Sequence, residues 1–288
     1  MTHPPLAAWL ATRPAAITEG PLSVLLIEDE VEVASTLDHH IAAGFAHVLA
    51  LSPEPLALTP AQAAVVTNLA FPTRARDAHA AALNAVIAAV PPGTWLHYGF
   101  NAEYLFFPFS DTRGVAELLT FHAEERRAAM LTYVVDLYAP DLTRFPDGVS
   151  REEALFDRTG YYALARRNRD GQIMERQLDF HGGLRWRFEE YLPADRLRID
   201  RIGLFRARPG LRLLPDHRLS DEEMNTYSCP WHHSMTAAIA SFRVAKALTR
   251  NPRSRAAVTR LAWRHSVPFA WSSQQLMDAG LMEPGQWF

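Results

Sequence analysis

The sequence has little cysteine, little net charge and no long apolar run, and each shortage excludes a class of protein. Its 288 residues include one cysteine, so no disulfide can form within the chain and a reducing compartment is expected. The net charge of −3 gives no field for non-specific nucleic-acid binding. No apolar run approaches the ~20 residues of a transmembrane helix, and no basic region precedes the short apolar run near the N-terminus, as a signal peptide requires. We therefore expect a cytoplasmic protein with no transmembrane segment and no nucleic-acid partner.

Several ligand-binding and catalytic motifs are also missing. No Gly-x-Gly-x-x-Gly follows a strand, and there is neither a P-loop nor a Gly-x-Ser-x-Gly elbow. Cys229 lies near His232 and His233, which makes a Cys–His pair conceivable, but a buried inert thiol is the commoner state of such a cysteine. An α/β hydrolase or an unrelated ligand-binding protein therefore has little support beyond the pattern of strands and helices.

What is present is the composition of a globular chain, with 48% hydrophobic and 21% charged residues. Residues 22–27 form a continuous apolar run, typical of a parallel strand that is buried on both faces. Residues 31–43 have helical spacing and end at Gly44, and residues 46–51 again form a strand-like run. This order predicts a βαβ unit, which we expect to hold a small ligand at the C-terminal edges of its strands.

Further along the chain, residues 77–90 are predicted to be helical and residues 94–98 to form another strand. Residues 161–219 alternate arginine with apolar and aromatic residues, which predicts short strands and loops. Residues 235–265 are predicted to be helical, with a break at Pro252.

Residues 117–127 are also predicted to be helical. His79 and His122 are expected to be surface residues of their helices.

Polar residues follow three of the predicted parallel strands. Glu28, Asp29 and Glu30 come after the first strand, residues 52–54 follow the second, and Asn101 and Glu103 follow the strand at 94–98. Ligands of parallel sheets bind beyond the carboxyl ends of the strands, where an acid can accept hydrogen bonds from a base or a ribose. The alternative is that these acids lie near helix N-termini, where the helix dipole favours negative charge.

The order of segments resembles a known family. Residues 39–48 read His-His-Ile-Ala-Ala-Gly-Phe-Ala-His-Val, after a strand that ends in Glu28-Asp29. This stretch is similar to one in the glycosyltransferase family 2-like proteins of bacterial polysaccharide synthesis, which have the GT-A fold. Residues 182–188 read Gly-Gly-Leu-Arg-Trp-Arg-Phe, which is similar to a motif of the family. Arg201, which stands at the family's lysine, and then His217 and His232 follow in the same order as in the family.

One motif of this family is degenerate in the chain. A Trp-led strand runs into Asp-x-Asp-Glu in the family, whereas here Phe100 and Ala102 replace both aspartates and Glu103 remains. The resemblance implies Mn²⁺ or Mg²⁺ as cofactor, but these ions need hard oxygen ligands that Phe100 and Ala102 do not supply. Glu103 and His232 are the metal candidates if an ion binds.

Without a metal, arginines can bind the diphosphate through bidentate hydrogen bonds. Arg185 and Arg187 are candidates for this role, or else they are solvated on an exposed strand, and Arg201 replaces the family's lysine. The resemblance implies a nucleotide-sugar site formed by Glu28, Asp29, Asn101, Glu103, Arg185, Arg187, Arg201, His217 and His232. The catalytic base is sought among Asp136, Glu153 and Asp157, from which no motif singles one out.

The resemblance implies an α/β fold with a GT-A-like, Rossmann-type, mostly parallel sheet flanked by helices and a C-terminal helical segment. The expected domains are an N-terminal extension over 1–20, a GT-A-like domain over 21–233 and a helical segment over 234–288. The nucleotide half of the GT-A-like domain would span about 21–110 and the acceptor half about 111–233.

The resemblance also implies a function. The chain would transfer a sugar from a nucleoside-diphosphate sugar to a cell-envelope or capsule saccharide. The alternative is an inactive GT-A-like pseudo-enzyme that acts as a binding or scaffolding subunit. Peripheral association with a membrane is left open.

Overall fold

The computed structural model describes residues 3–229 and 233–287. The chain has a mixed α/β structure and divides into two compact units. The first unit contains Met1–Tyr104, Thr112–Leu131 and Ile202–Asn225, and the second contains Leu105–Asp111, Thr132–Arg201 and Thr226–Phe288.

Within the described residues the chain forms helices α1–α8 and strands β1–β12. The helices are α1 Leu6–Ala11, α2 Val33–Ala42, α3 Pro60–Ala63, α4 Ala78–Ala89, α5 Val115–Glu124, α6 Gly183–Arg187, α7 Arg243–Arg250 and α8 Ser273–Asp278. The strands are β1 Leu22–Leu26, β2 His47–Ser52, β3 Val66–Ala70, β4 Trp95–Phe100, β5 Glu103–Phe106, β6 Ala129–Tyr138, β7 Leu155–Asp157, β8 Tyr162–Arg167, β9 Ile173–His181, β10 Asp200–Arg206, β11 Ala237–Ser241 and β12 Ser266–Pro268.

The sheet of the first unit has the strand order β10-β4-β1-β2-β3. The pairs β4–β1, β1–β2 and β2–β3 are parallel, and β10 is antiparallel to β4. From β1 the chain continues to β2 and β3 on one side and then returns to place β4 on the other side. The strand order therefore reverses between β1 and β4, which is where open α/β sheets bind ligands.

Apolar burial explains why these segments form a sheet with helices packed on it. All five residues of β1 are buried, and Leu83 and Val86 of α4 are fully buried. Burial of each such aliphatic side chain stabilises the fold by about 1.5–3 kcal/mol. This core holds the carboxyl ends of β1 and β4 in fixed positions.

The second unit is built around β6. Strand β11 pairs with β6 in parallel, β7 pairs with it antiparallel, and β12 pairs antiparallel with β7. Strands β8 and β9 form a separate hairpin. Arg166 of β8 is buried and donates to the carboxylates of Asp179 at 2.7 Å and Asp200 at 2.5 Å. The hairpin is thus attached by a buried ion-pair network.

The α/β class is confirmed, and so are the predicted elements of the βαβ unit at β1, α2 and β2. The sheet is mixed, so the finer expectation of a mostly parallel GT-A-like sheet stays a prediction. Two predicted elements differ in kind. Residues 183–187 form one helical turn within the predicted strands and loops, and residues 237–241 form β11 within the predicted helical segment.

Two histidines were expected at the surface, and that prediction is wrong. His79 and His122 are 4% and 1% exposed. Their helices α4 and α5 pack these positions inward, because the sides of the helices that carry them also bury Leu83 and Leu118. Among the described residues, no helix is long and apolar enough to cross a membrane.

Candidate functional site

Asn101 links the ends of β1 and β4 in the first unit. Its side-chain oxygen accepts the N–H of Glu28 at 2.8 Å, and its amide nitrogen donates to Asp29 Oδ1 at 2.6 Å and to the carbonyl of Val31 at 2.9 Å. Asn101 is fully buried, whereas Glu28 and Asp29 are half-buried. The predicted residues Glu28, Asp29 and Asn101 are therefore brought together at the switch point of the sheet.

The turn between β4 and β5, which contains Asn101, is held by hydrogen bonds to Glu103 and Thr36. Glu103 is buried, and its Oε2 accepts the N–H of Phe100 at 3.1 Å. The N–H of Ala102 donates to Thr36 Oγ1 of α2 at 2.9 Å, and Ala102 has a left-handed backbone with φ of 61°. The Glu103 carboxylate thus stabilises the turn that positions Asn101.

Arg74 is a residue of this edge that the sequence interpretation missed. It follows β3, is exposed, and donates from Nε to the carbonyl of Glu28 at 2.5 Å. The neighbouring Thr73 donates from its hydroxyl to the carbonyl of Ile27 at 2.7 Å. An Arg-x-Arg pattern at residues 74–76, directly after a parallel strand, was the available signal.

The divalent cation that the resemblance implies does not fit the residues present. Phe100 and Ala102 are buried and supply no side-chain oxygen. Glu103 is engaged with the backbone of its own turn, and His232 lies outside the described residues. In the part of the chain that the structure describes, no three His, Cys, Asp or Glu side chains form a group that could hold a metal.

His217 belongs to an aromatic stack in the first unit. A hydrogen bond of 3.0 Å joins its Nδ1 to the hydroxyl of Tyr98 in β4, and its ring stacks on that of His79 with centroids 4.2 Å apart. His79 also contacts the carbonyl of Pro215 at 3.2 Å. The structure thus places His217 against the side of β4, and its role in nucleotide binding stays a prediction.

Asp157 is the centre of a buried polar cluster in the second unit. Its carboxylate accepts hydrogen bonds from Tyr138, from Trp263 Nε1 at 2.7 Å, and from Arg187 at 2.8 and 3.2 Å. The nearby carboxylate raises the pKa of Tyr138 further above its usual value, although burial is the larger cause. Because so many donors converge on Asp157, this carboxylate positions its neighbours.

Arg187 is held on several sides. Its guanidinium carbon lies 5.4, 5.3 and 5.0 Å from the ring centroids of Tyr138, Phe188 and Trp263. Cation–π attraction and the ion pair with Asp157 together compensate for removal of this charge from water. The assignment of Arg187 to a diphosphate stays a prediction.

Asp136 has different surroundings within the same unit. Its Oδ2 accepts the N–H of Arg185 at 3.3 Å, and its Oδ1 lies 3.7 Å from Arg185 Nε with no hydrogen bond among the described residues. Burial raises the pKa of Asp136 to about 6, although the Arg185 guanidinium opposes this rise. A carboxyl group with a pKa close to neutrality can take up or release a proton at physiological pH.

The Gly182-Gly183 pair makes room for this cluster. A Cβ on Gly182 would lie 2.2 Å from the ring of Tyr161, and one on Gly183 would lie 3.0 Å from Asp136 Oδ2. The Tyr161 hydroxyl is buried without a hydrogen bond among the described residues, and burial raises its pKa well above the usual value. The sequence contained the signal, but the residues that need the two glycines are far away in the chain.

Glu153 and Arg201 are the remaining candidate residues, and both lie in the second unit. Glu153 forms a two-bond ion pair with Arg144, at 2.8 and 2.6 Å, on the surface of the second unit. Arg201 is buried near the start of β10, in the second unit. The first unit thus gathers Glu28, Asp29, Asn101 and Glu103, and the second gathers Asp136, Asp157, Arg185 and Arg187.

Comparisons with known proteins add no family to this geometry. No protein-family model matches the chain. No curated protein matches it either.

Proposed function

We propose that the chain is a GT-A-like glycosyltransferase that uses a nucleoside-diphosphate sugar and acts on a cell-envelope or capsule saccharide. The observation that carries the proposal is the junction at Asn101, which ties the polar loop after β1 to the end of β4 where the strand order reverses. Ligands of open α/β sheets bind in the crevice at such a point.

The polar groups of this edge suit a nucleotide. The carboxylates of Glu28 and Asp29 accept hydrogen bonds from ribose hydroxyls or from N–H groups of a base. Arg74 supplies an exposed guanidinium beside the same loop, and guanidinium groups bind phosphate oxygens in pairs. A cation of the protein can thus compensate part of the diphosphate charge.

Asp136 is the proposed general base, on the strength of its own surroundings. Its pKa near 6 leaves it ionised at neutral pH, yet able to accept a proton from an acceptor hydroxyl. Asp157 accepts hydrogen bonds from three side chains, and Glu153 is engaged by Arg144. Asp136 is therefore the candidate among the three whose carboxylate retains an oxygen without a hydrogen bond among the described residues.

Nucleotide binding tests the first half of the proposal. We expect a UDP-, GDP- or CMP-sugar at about 100 times its dissociation constant to raise Tm by roughly 5 °C, because it binds only the folded state. EDTA should leave this shift unchanged, and Arg74→Gln should reduce affinity several-fold. Arg126→Gln is the matched control, since Arg126 is an exposed arginine of the same unit at the end of α5. No shift with any nucleotide sugar, or a shift abolished by EDTA, contradicts the proposal.

Turnover separates the enzyme from the pseudo-enzyme. The replacement of both family aspartates by buried Phe100 and Ala102 is the observation that favours the pseudo-enzyme. If the chain is an enzyme, it releases nucleoside diphosphate when a donor and a saccharide acceptor are both present, and Asp136→Asn lowers kcat by about 100-fold or more. Nucleotide binding without release in the presence of envelope saccharides supports the pseudo-enzyme.

A further inference from the structure

The charges are distributed unevenly along the chain. No Asp or Glu occurs between Glu223 and Asp278, although seven Lys and Arg residues do. All 32 acidic residues therefore lie outside this stretch, and the small net charge hides the asymmetry. Residues 250–264, here termed the arginine segment, contain Arg250, Arg253, Arg255, Arg260 and Arg264.

Buried side chains and hydrogen bonds hold the backbone of the arginine segment in place. Ser254, Val258 and Leu261 are buried, at 1%, 6% and 0% exposure. The Ser254 hydroxyl donates to the carbonyl of Leu248 at 2.7 Å, and the N–H of Val258 donates to the carbonyl of Ser254 at 2.8 Å. Val258 and Leu261 join a core cluster with Tyr138. The segment is therefore an ordered part of the second unit.

Four arginines of this segment point away from the core. The side chains of Arg253, Arg255, Arg260 and Arg264 belong to exposed residues and make no ion pair or hydrogen bond among the described residues. Trp263, which is half-buried, lies between the last two. The surface thus presents several uncompensated cations on a fixed backbone.

Two acidic residues close to the same core cluster do not pair with these arginines. Tyr191 and Leu192 pack against the same core cluster, and the exposed Glu189 and Glu190 directly precede them in the sequence. Among the described residues, neither Glu189 nor Glu190 forms an ion pair with an arginine of the segment. An external anion can therefore reach the cations.

We propose that the arginine segment binds the surface of a membrane that contains anionic lipids. Clusters of 4–8 basic residues are attracted to anionic leaflets, each cation adding about five-fold to affinity near the surface. A planar bilayer meets one face only, whereas an extended nucleic acid would also meet the acidic remainder of the chain.

Vesicle binding tests the proposal directly. The full chain is mixed at low salt with vesicles of phosphatidylcholine containing about one-third phosphatidylglycerol, and binding is measured by flotation. We expect binding to these vesicles, little binding to pure phosphatidylcholine, and release by salt. The variant R253Q/R255Q/R260Q/R264Q should bind several hundred-fold more weakly, since each of the four cations adds about five-fold.

A charge-matched variant controls for net charge. R13Q/R126Q/R169Q/R212Q removes four exposed arginines elsewhere in the chain, and it should retain binding. The proposal is overturned if the wild-type chain does not bind the anionic vesicles, or if both variants lose binding equally. It is also overturned if the wild-type chain binds a DNA oligonucleotide more tightly than the vesicles and only the first variant loses that binding. Circular dichroism checks that both variants are folded.

Discussion

In the first unit, the polar residues at the ends of β1 and β4 are held by backbone groups and by the amide of Asn101, whereas the second unit holds its carboxylates beside arginines. Glu28 and Asp29 are half-buried, while Asp136 and Asp157 are each 1% exposed. The first arrangement follows from strand topology, since parallel strands end at one edge. The second depends on ion pairs between residues distant in the chain.

This difference has a consequence for how each unit responds to mutation. A hydrogen-bonded loop at a sheet edge can lose one partner and rehydrate, because water reaches it. A buried ion pair cannot, since loss of one partner leaves the other charge without compensation. We therefore expect larger losses of stability in the second unit and more specific losses of ligand binding in the first.

The largest effect is expected for Asp157→Ala. This change leaves Arg187, whose side chain is 10% exposed, without its carboxylate, and the free energy of unfolding should fall by about 3–5 kcal/mol. Glu153→Ala breaks the exposed pair with Arg144 in the same unit and should cost about 0–1 kcal/mol. Urea unfolding followed by tryptophan fluorescence measures both. Equal losses would contradict the contrast between buried and exposed pairs.

A somewhat smaller effect is expected for Gly182→Ala. The added Cβ meets the ring of Tyr161 at 2.2 Å, so the free energy of unfolding should fall by about 2–3 kcal/mol. Gly171→Ala is the control, because Gly171 has φ of +79° but no atom of the described residues lies within 4 Å of its added Cβ. That change should cost about 1 kcal/mol from backbone strain alone. If the two variants have the same stability, Tyr161 does not pack as described.

Asn101→Ala tests the first unit. It removes three hydrogen bonds from the loop after β1, so we expect a stability loss of about 2 kcal/mol and loss of nucleotide-sugar binding. Asn84→Ala removes the paired hydrogen bonds between α4 and Leu213, at 3.0 and 2.8 Å, and should cost a similar stability. Calorimetric titration should show unchanged nucleotide affinity for Asn84→Ala. Loss of nucleotide binding in both variants would show that the binding loss follows from lower stability and not from the change in the loop after β1.

The smallest effect at neutral pH concerns His122. Burial lowers the pKa of His122 to about 4, with a smaller contribution from the charge of Arg127. In the unfolded chain His122 is protonated below about pH 6.5, whereas in the folded chain it stays neutral down to about pH 4. The free energy of unfolding therefore has its full value above about pH 6.5 and decreases as the pH falls towards 4. At about pH 5 the decrease that His122 causes is roughly 2 kcal/mol.

His122→Leu should remove this part of the acid sensitivity. Unfolding curves of the wild type and the variant, taken between neutral and mildly acidic pH, measure it. A pH dependence that is identical in both proteins would show that His122 is not the cause.

Much of the first unit could be predicted from local patterns. The apolar run of β1, the helical spacing of α2 and the strand β2 each follow from residues close in sequence. The gathering of Glu28, Asp29 and Asn101 also follows, because the carboxyl ends of parallel strands share one edge.

The second unit could be predicted less well, for physical reasons. Residues 183–187 alternate arginine with apolar residues as a strand does, yet they form a helical turn that places two arginines beside Asp136 and Asp157. The alanine-rich segment 237–241 has helical propensity, but pairing with β6 and complete burial override it. Long-range partners decide both cases, and a single sequence does not show them.

We propose that a nucleotide sugar binds at the carboxyl ends of β1 and β4. Hydrogen–deuterium exchange with and without a saturating nucleotide sugar tests it most directly. We predict slower exchange in residues 28–32 and 71–76 when the ligand is bound. Unchanged exchange in both ranges, with protection elsewhere in the chain, would contradict the account.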